Sequence, residues 1–348
     1  MNRIAVLRAL AAAALFGLST PAAKLLLAEA GAWTLAGILY CGAGAGLALV
    51  RAARGRHGAA REASLTRRDL PWLAAAIATG GVAGPVLLMA GLARIDGTAA
   101  SLLLTLEGVA TALLAWFAFR ENFDRRIALG MAAIVAGAAL LAWRPGLALD
   151  DLLGPALIVA ACVAWGLDNN LTRKIALADP VEIAMLKGLA AGPVSLALGL
   201  AVGESLPPPP VIALAAAVGF LGTGVSLVLY VHALRDLGTA RTGAYFAVAP
   251  FLGAAAAVPL LGEALSARLI GAGALMAAGV WLHLRERHAH EHAHDELEHA
   301  HRHVHDAHHQ HEHPPGVDPR APHSHVHRHG RLVHAHAHTP DSHHRHAH

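Results

Sequence analysis

Cysteine is nearly missing from this 348-residue chain, which has only two, and aromatic residues make up just 5% of it. Cys41 and Cys162 both fall inside apolar stretches, so neither a disulfide framework nor a zinc knuckle is implied. Charge is scarce too: Asp, Glu, Lys and Arg together are 15% of residues, against roughly 25% in an ordinary soluble domain. No glycine-rich phosphate loop follows a strand pattern, which argues against an ATP-driven pump, and nothing reads as the site of an enzyme. Strand alternation is absent before residue 285, which argues against a transmembrane barrel. What the chain has in excess is apolar residues, 55% of the whole, nearly all of that excess lying before residue 285.

A helix needs about 20 apolar residues to cross a bilayer. Ten segments meet that need, over residues 8–27, 32–50, 71–92, 97–118, 126–143, 152–171, 180–201, 211–233, 238–261 and 267–284. Ala, Leu and Gly dominate them, which predicts an all-α integral membrane protein. Arginine and lysine crowd alternate connections, as at Arg51, Arg54, Arg56, Arg61, Arg67 and Arg68, whereas the other side has only Arg94, Arg144 and Arg268. The positive-inside rule then predicts a multi-pass protein of a bacterial-type inner membrane, with both termini cytoplasmic. The first segment resembles a signal peptide ending at Thr20-Pro21-Ala22-Ala23, but a matching helix in the second half favours its retention.

One pattern occurs twice. Arg94-Ile95-Asp96-Gly97-Thr98-Ala99 leads through an apolar stretch to Glu121, and Arg235-Asp236-Leu237-Gly238-Thr239-Ala240 leads likewise to Glu263. Phe16-Gly17-Leu18 with Lys24 matches Trp165-Gly166-Leu167 with Arg173 at the same spacing. Five spans per half is an odd number, so the second repeat enters the membrane inverted, the arrangement of secondary transporters with a site near the midplane.

These residues carry a resemblance to the EamA-type family of the drug/metabolite transporter superfamily: Phe16-Gly17 with Lys24, Glu121 and Glu263 closing the fourth helix of each half, and Pro250 before Phe251-Leu252-Gly253. The resemblance covers about residues 5–284. It implies two inverted five-helix repeats, over 1–145 and 146–284, and carriage of amino acids, other metabolites or drugs, often outward and coupled to protons. Gly108 departs from the pattern, standing where the second half has Pro250, which puts a kink in the fourth span in question.

Ionisable groups inside a span cost roughly 2.5–3.5 kcal/mol on insertion scales, so each invites a functional reading. Glu107 lies near the midplane and is a candidate proton carrier or cation ligand, with an ion pair to Lys24 as the structural alternative. Asp168, Asn169 and Asn170 occupy successive helical positions, which turn about 100° each, so at most two can line one cavity. Lys187 is the expected partner of Asp168, either as a salt bridge fixing two helices or as a gate. Glu182 is expected to pair with Arg173 or Lys174. Glu107 and Lys24, then Asp168, Asn169 and Lys187, form the candidate translocation site.

From residue 285 the composition changes abruptly. Residues 288–348 hold 23 of the 26 histidines and almost nothing apolar, so a disordered cytoplasmic tail is expected. The motif is His-x-His: His288, His290, His292 and His294; His299, His301, His303 and His305; His323, His325, His327 and His329; His334, His336 and His338. Residues two apart in an extended chain share a face, and imidazole suits zinc, nickel or cobalt. With eight acids against five arginines the tail is no nucleic-acid arm.

Three functions compete. One is a proton-coupled exporter of a small metabolite whose tail senses metal. The second is a divalent-metal exporter fed by the tail. The third is a membrane-anchored metal buffer or sensor. The bundle is poor in metal ligands, which favours the first, and no cofactor is required. A homodimer is compatible with the sequence but unmarked in it.

Overall fold

The computed structural model describes residues 3–56, 64–119, 125–143, 152–175, 178–237, 242, 245–284, 288–294, 297–303, 323–329 and 332–338. The first half begins with helices α1 (Arg3–Leu26) and α2 (Ala32–Arg56). The third span is α3 (Leu70–Ala76), a π-helical segment (Ile77–Ala83) and α4 (Gly84–Leu92). The fourth is α5 (Gly97–Leu103) with α6 (Leu106–Phe119), and the fifth is α7 (Arg125–Ala142). The second half repeats this order: α8 (Leu153–Arg173), α9 (Pro180–Ala201), then α10 (Pro209–Gly219), a π-helical segment (Phe220–Val225) and α11 (Ser226–Leu237). Helices α12 (Ala249–Leu261) and α13 (Ala267–Leu284) complete it. Among the described residues, six spans are long and apolar enough to cross a membrane by length and composition alone. Helices suit this composition because a hydrocarbon core leaves no other partner for backbone polar groups.

The two repeats interlock at the paired glycines. A Cβ on Gly17 of α1 would strike the Ala249 carbonyl and lie 3.2 Å from Gly253 N on α12. A Cβ on Gly166 of α8 would lie 2.9 Å from Thr111 N and 3.0 Å from Ala110 C on α6. So the first helix of each half crosses the fourth span of the other at a backbone-to-backbone contact that only a glycine allows. The π segments sit at equivalent places too, each at a glycine cluster: Gly80 packs on Asp168 of α8, and Gly222 on Ser19 of α1.

At the end of the bundle away from the start of α1, two carboxylates tie the halves together. The N–H groups of Gly97 and Thr98 donate to Glu263 Oε1 and Oε2 at 2.6 and 2.8 Å, capping α5. Gly262, at φ 67°, ends α12 in the left-handed conformation and turns the chain into Glu263. Glu204 caps α2 in the same way, accepting from Trp33 N at 3.2 Å, Thr34 N at 2.8 Å and Thr34 Oγ1 at 3.0 Å. Glu121, the sequence counterpart of Glu263, lies outside the described residues.

In the tail, strand β1 (His288–His294) pairs antiparallel with β4 (Leu332–His338), and β2 (Leu297–His303) with β3 (His323–His329). The His-x-His alternation has the period of a strand and the pairing follows it, though too little apolar residue is present for a packed core. Histidine faces histidine in register at His288–His338, His290–His336 and His292–His334, and again at His299–His327, His301–His325 and His303–His323. His305 lies outside the described residues.

Candidate functional site

The fourth span breaks where the site begins. Helix α5 ends at Leu103 and α6 starts at Leu106. Across the break the bonds tighten to three-residue steps, with Thr105 N donating to Leu102 O and Glu107 N to Leu104 O, both at 3.0 Å. No proline is needed for this interruption, which answers the question raised by Gly108. Thr105 Oγ1 satisfies Leu102 O at 2.8 Å, and the Cys162 thiol approaches Leu103 O at 3.7 Å. The thiol thus lies at a carbonyl that the break skips, while Thr105 Oγ1 shares Leu102 O with its own N–H.

Glu107 stands in the first turn of α6 and is half-buried. Asn169 Nδ2 of α8 donates to Glu107 Oε1 at 2.9 Å and to Thr111 Oγ1 at 3.2 Å. Gly108, next to Glu107, is exposed, and a Cβ there would meet nothing within 4 Å, so this stretch of α6 borders open space. Glu107 also lies within electrostatic reach of Asp168, Lys187, Tyr40 and Tyr230.

Asp168 turns the other way. Lys187 Nζ of α9 donates to both of its oxygens at 2.6 Å, and Thr172 Oγ1 donates to Oδ1 at 2.9 Å. Both members of the pair are largely buried, with side-chain exposures of 12% for Lys187 and 10% for Asp168. Asn170, buried, donates to Gly166 O at 2.8 Å and Thr111 O at 3.2 Å. The three successive polar residues thus divide: Asn169 and Asn170 serve α6, and Asp168 serves α9.

The π segment supplies a part that the sequence reading missed. Gly80 O accepts from Tyr40 Oη at 2.8 Å and Trp165 Nε1 at 3.0 Å. In the π turn Gly84 N donates to Thr79 O, and the next donor in that ladder would be Pro85, which has no N–H, so Gly80 O is left for two aromatic donors. The signal in the sequence is Pro85 five residues after Gly80, within a cluster of glycines that reads first as packing.

Lys24 and Glu182 have partners that the sequence did not name. Lys24 does not pair with Glu107; its Nζ donates to Leu92 O at 2.6 Å, at the end of the third span. Glu182 meets Arg51 at 3.3 Å, because the start of α9 packs against the end of α2; the side chain of Arg173, one of its expected partners, lies outside the described residues. Among the described residues no group of three or more His, Cys, Asp and Glu could hold a metal ion.

Comparison with known proteins agrees with this architecture. Residues 3–143 and 152–285 each match the model of the EamA-like transporter family. An uncharacterized transporter of Methanothermobacter thermautotrophicus is 28% identical over 282 residues, 77% of this chain and 82% of that protein. A probable terminal-alkyne amino-acid exporter of Streptantibioticus cattleyicolor is 31% identical over 218 residues, 62% of this chain and 73% of its own length. A solved crystal structure shares the fold with a TM-score of 0.60 at 21% identity, covering 80% of this chain and 94% of that one.

Proposed function

Because the chain belongs to the EamA-like transporter family, we propose that it is a proton-coupled exporter of a small amine-bearing metabolite of the amino-acid class, which it binds at Glu107. The observation that carries this reading is a charge imbalance. Asp168 has Lys187 on both oxygens, whereas the only direct partner of Glu107 among the described residues is the neutral amide of Asn169. Two carboxylates against one ammonium leave one negative charge uncompensated inside the bundle, a costly state in a membrane. A proton cancels it, and so does a substrate ammonium. The two compete for one carboxylate, so inward flow of a proton drives outward release of the amine.

In this reading Asn169 and Thr111 orient the carboxylate, while the Asp168–Lys187 pair positions α8 against α9. Lys24 acts at the far end of the path through its tie to Leu92. A relative named as a probable amino-acid exporter supports the substrate class. The crowding of Arg and Lys in alternate connections supports an orientation with both termini in the cytoplasm, in a bacterial-type inner membrane. The tail there binds zinc, nickel or cobalt and reports metal to the bundle; the repeated His-x-His spacing of the sequence supports it. A metal-export path is disfavoured by the lack of a metal-ligating cluster among the described residues of the bundle.

The test is exchange of labelled amino acids in proteoliposomes with and without a pH gradient, beside Zn²⁺, Ni²⁺ and Co²⁺ flux. Gradient-driven amino-acid flux that falls about tenfold or more in Glu107→Gln, with unfolding temperature kept, is expected; tenfold corresponds to about 1.4 kcal/mol of lost coupling. Unchanged amino-acid flux in that variant, or metal flux in its place, refutes the proposal.

A further inference from the structure

We infer that Asn169 is a second acceptor for the substrate's ammonium, through its Oδ1, so that the site selects amines that carry N–H bonds over fully methylated ones; this rests on the reading of Glu107 above. A primary amide has two N–H donors and one acceptor oxygen. Both donors of Asn169 are taken, one by Glu107 Oε1 at 2.9 Å and one by Thr111 Oγ1 at 3.2 Å. An ionised carboxylate only accepts, so the nitrogen has to be the atom that meets Glu107. That leaves Asn169 Oδ1 and Glu107 Oε2, neither of which has a hydrogen bond among the described residues. Two uncommitted oxygens thus belong to two side chains already in contact.

Both side chains border open space, and that space is not the lipid. Val163 and Leu167 are exposed on the lipid side of α8, and Asn169, two residues beyond Leu167, points about 200° away from it. Asn169 is nevertheless exposed. On α6 the exposed Trp116 and Phe117 mark the lipid side. Glu107 and Gly108 stand nine residues before them, about two and a half turns, and so on the opposite side. Gly108 is exposed there too, with nothing within 4 Å of an added Cβ. The buried side-chain oxygens left without a partner belong to Ser101, Glu182, Ser195 and Thr242, so the free oxygen of Glu107 is not sealed off. Inward-facing and accessible, the amide and the carboxylate line one space between α6 and α8.

An ammonium entering that space finds the charge it needs on Glu107 and a further acceptor on Asn169. Hydrogen bonds from a charged donor are the strong ones. A trimethylated ammonium keeps the charge and loses every donor, so it leaves Oδ1 unpaired. The same amide makes proton and substrate exclusive. Once protonated, Glu107 becomes a donor, and the amide turned over offers it Oδ1; Thr111, whose hydroxyl can accept or donate, tolerates either face of the amide. With Oδ1 spent on the proton, the ammonium has lost both acceptors.

The experiment is exchange by the full-length protein in proteoliposomes, with leucine, N-methylleucine and N,N,N-trimethylleucine as probes. Expected for the wild type is a kcat/KM that falls in that order, with the trimethyl compound poorly exchanged. Asn169→Leu keeps the branched shape without making more room and removes the acceptor. It should lower the preference for leucine over trimethylleucine about tenfold, the worth of one hydrogen bond to a charged group. If Asn169 only positioned the carboxylate, the variant would slow both probes alike. Asn169→Val serves where Asn169→Leu does not fold, with the same direction expected. A wild type indifferent to methylation, or a preference unchanged in these variants while flux still depends on Glu107, overturns the inference and leaves the proposed function standing. Absence of any amino-acid flux in the wild type, or flux unchanged in Glu107→Gln, overturns both.

Discussion

Asp168 and Glu107 are both carboxylates within one membrane interior, and their neighbours give them different tasks. With Lys187 Nζ at 2.6 Å from both oxygens, Asp168 belongs to a buried ion pair. Removing one partner of such a pair leaves an uncompensated charge and costs about 3–5 kcal/mol, whereas replacing both can be nearly neutral. Lys187→Met is therefore expected to lower the unfolding temperature in detergent sharply, and Asp168→Asn combined with Lys187→Met to recover most of the loss. A double variant as unstable as the single one would show that the charges themselves are required. Gly80 and Gly108 give a second contrast. A Cβ at Gly80 would strike Asp168 Oδ2, while one at Gly108 meets nothing within 4 Å. Gly80→Ala should cost about 1–3 kcal/mol through overpacking, and Gly108→Ala nothing or a slight gain from helix propensity. Thermal unfolding of the two variants side by side checks this. That Glu107 and Asp168 interrupt apolar helical stretches could be read from the sequence alone. Which way each side chain turned could not, because partner choice depends on helix rotation that one sequence does not fix.

At the scale of elements, the bounds of the spans were legible because hydrocarbon thickness and backbone satisfaction leave few alternatives. The predicted 180–201 and 267–284 coincide with α9 and α13. The interruptions were not legible. Proline marked only the second half, at Pro250, yet the first half breaks at Leu104–Thr105, where Thr105 bonds back to Leu102 O and the Cys162 thiol of α8 approaches Leu103 O. For Glu182 only partners near in sequence were foreseen, and packing of α9 against α2 brings it Arg51. Glu263 is the clearest case of an element-level role. Its two oxygens cap the seven-residue α5, a helix too short to hold itself. Glu263→Ala should cost about 1–2 kcal/mol, at the upper end for an N-cap because the acceptor is charged. Hydrogen exchange would localise the loss to Gly97–Leu103. Uniform deprotection of the whole bundle would instead point to a global role for the tie.

For the whole molecule, the inverted relation of the halves was visible as a repeated motif, and its physical meaning is the exchange of first helices: α1 crosses α12 while α8 crosses α6, each at a glycine. Neither half can bury its first helix alone, so each repeat depends on the other for its fold. The histidine tail stands outside that dependence. Its described strands pair only with one another in the sheet order, on a period set by His-x-His. In the proposed reading the charge imbalance lies among Glu107, Asp168 and Lys187, so the exchange step itself does not call on the tail. A protein cut after Arg287 is therefore expected to fold, to keep gradient-driven flux within about twofold of the full chain in metal-free buffer, and to lose its bound zinc or nickel by mass spectrometry of metal content. Added metal should then change flux only in the full-length protein, which would make the tail a sensor. Loss of flux on truncation, in metal-free buffer and with the unfolding temperature kept, would instead mean that the tail takes part in transport and delivers cargo to the bundle.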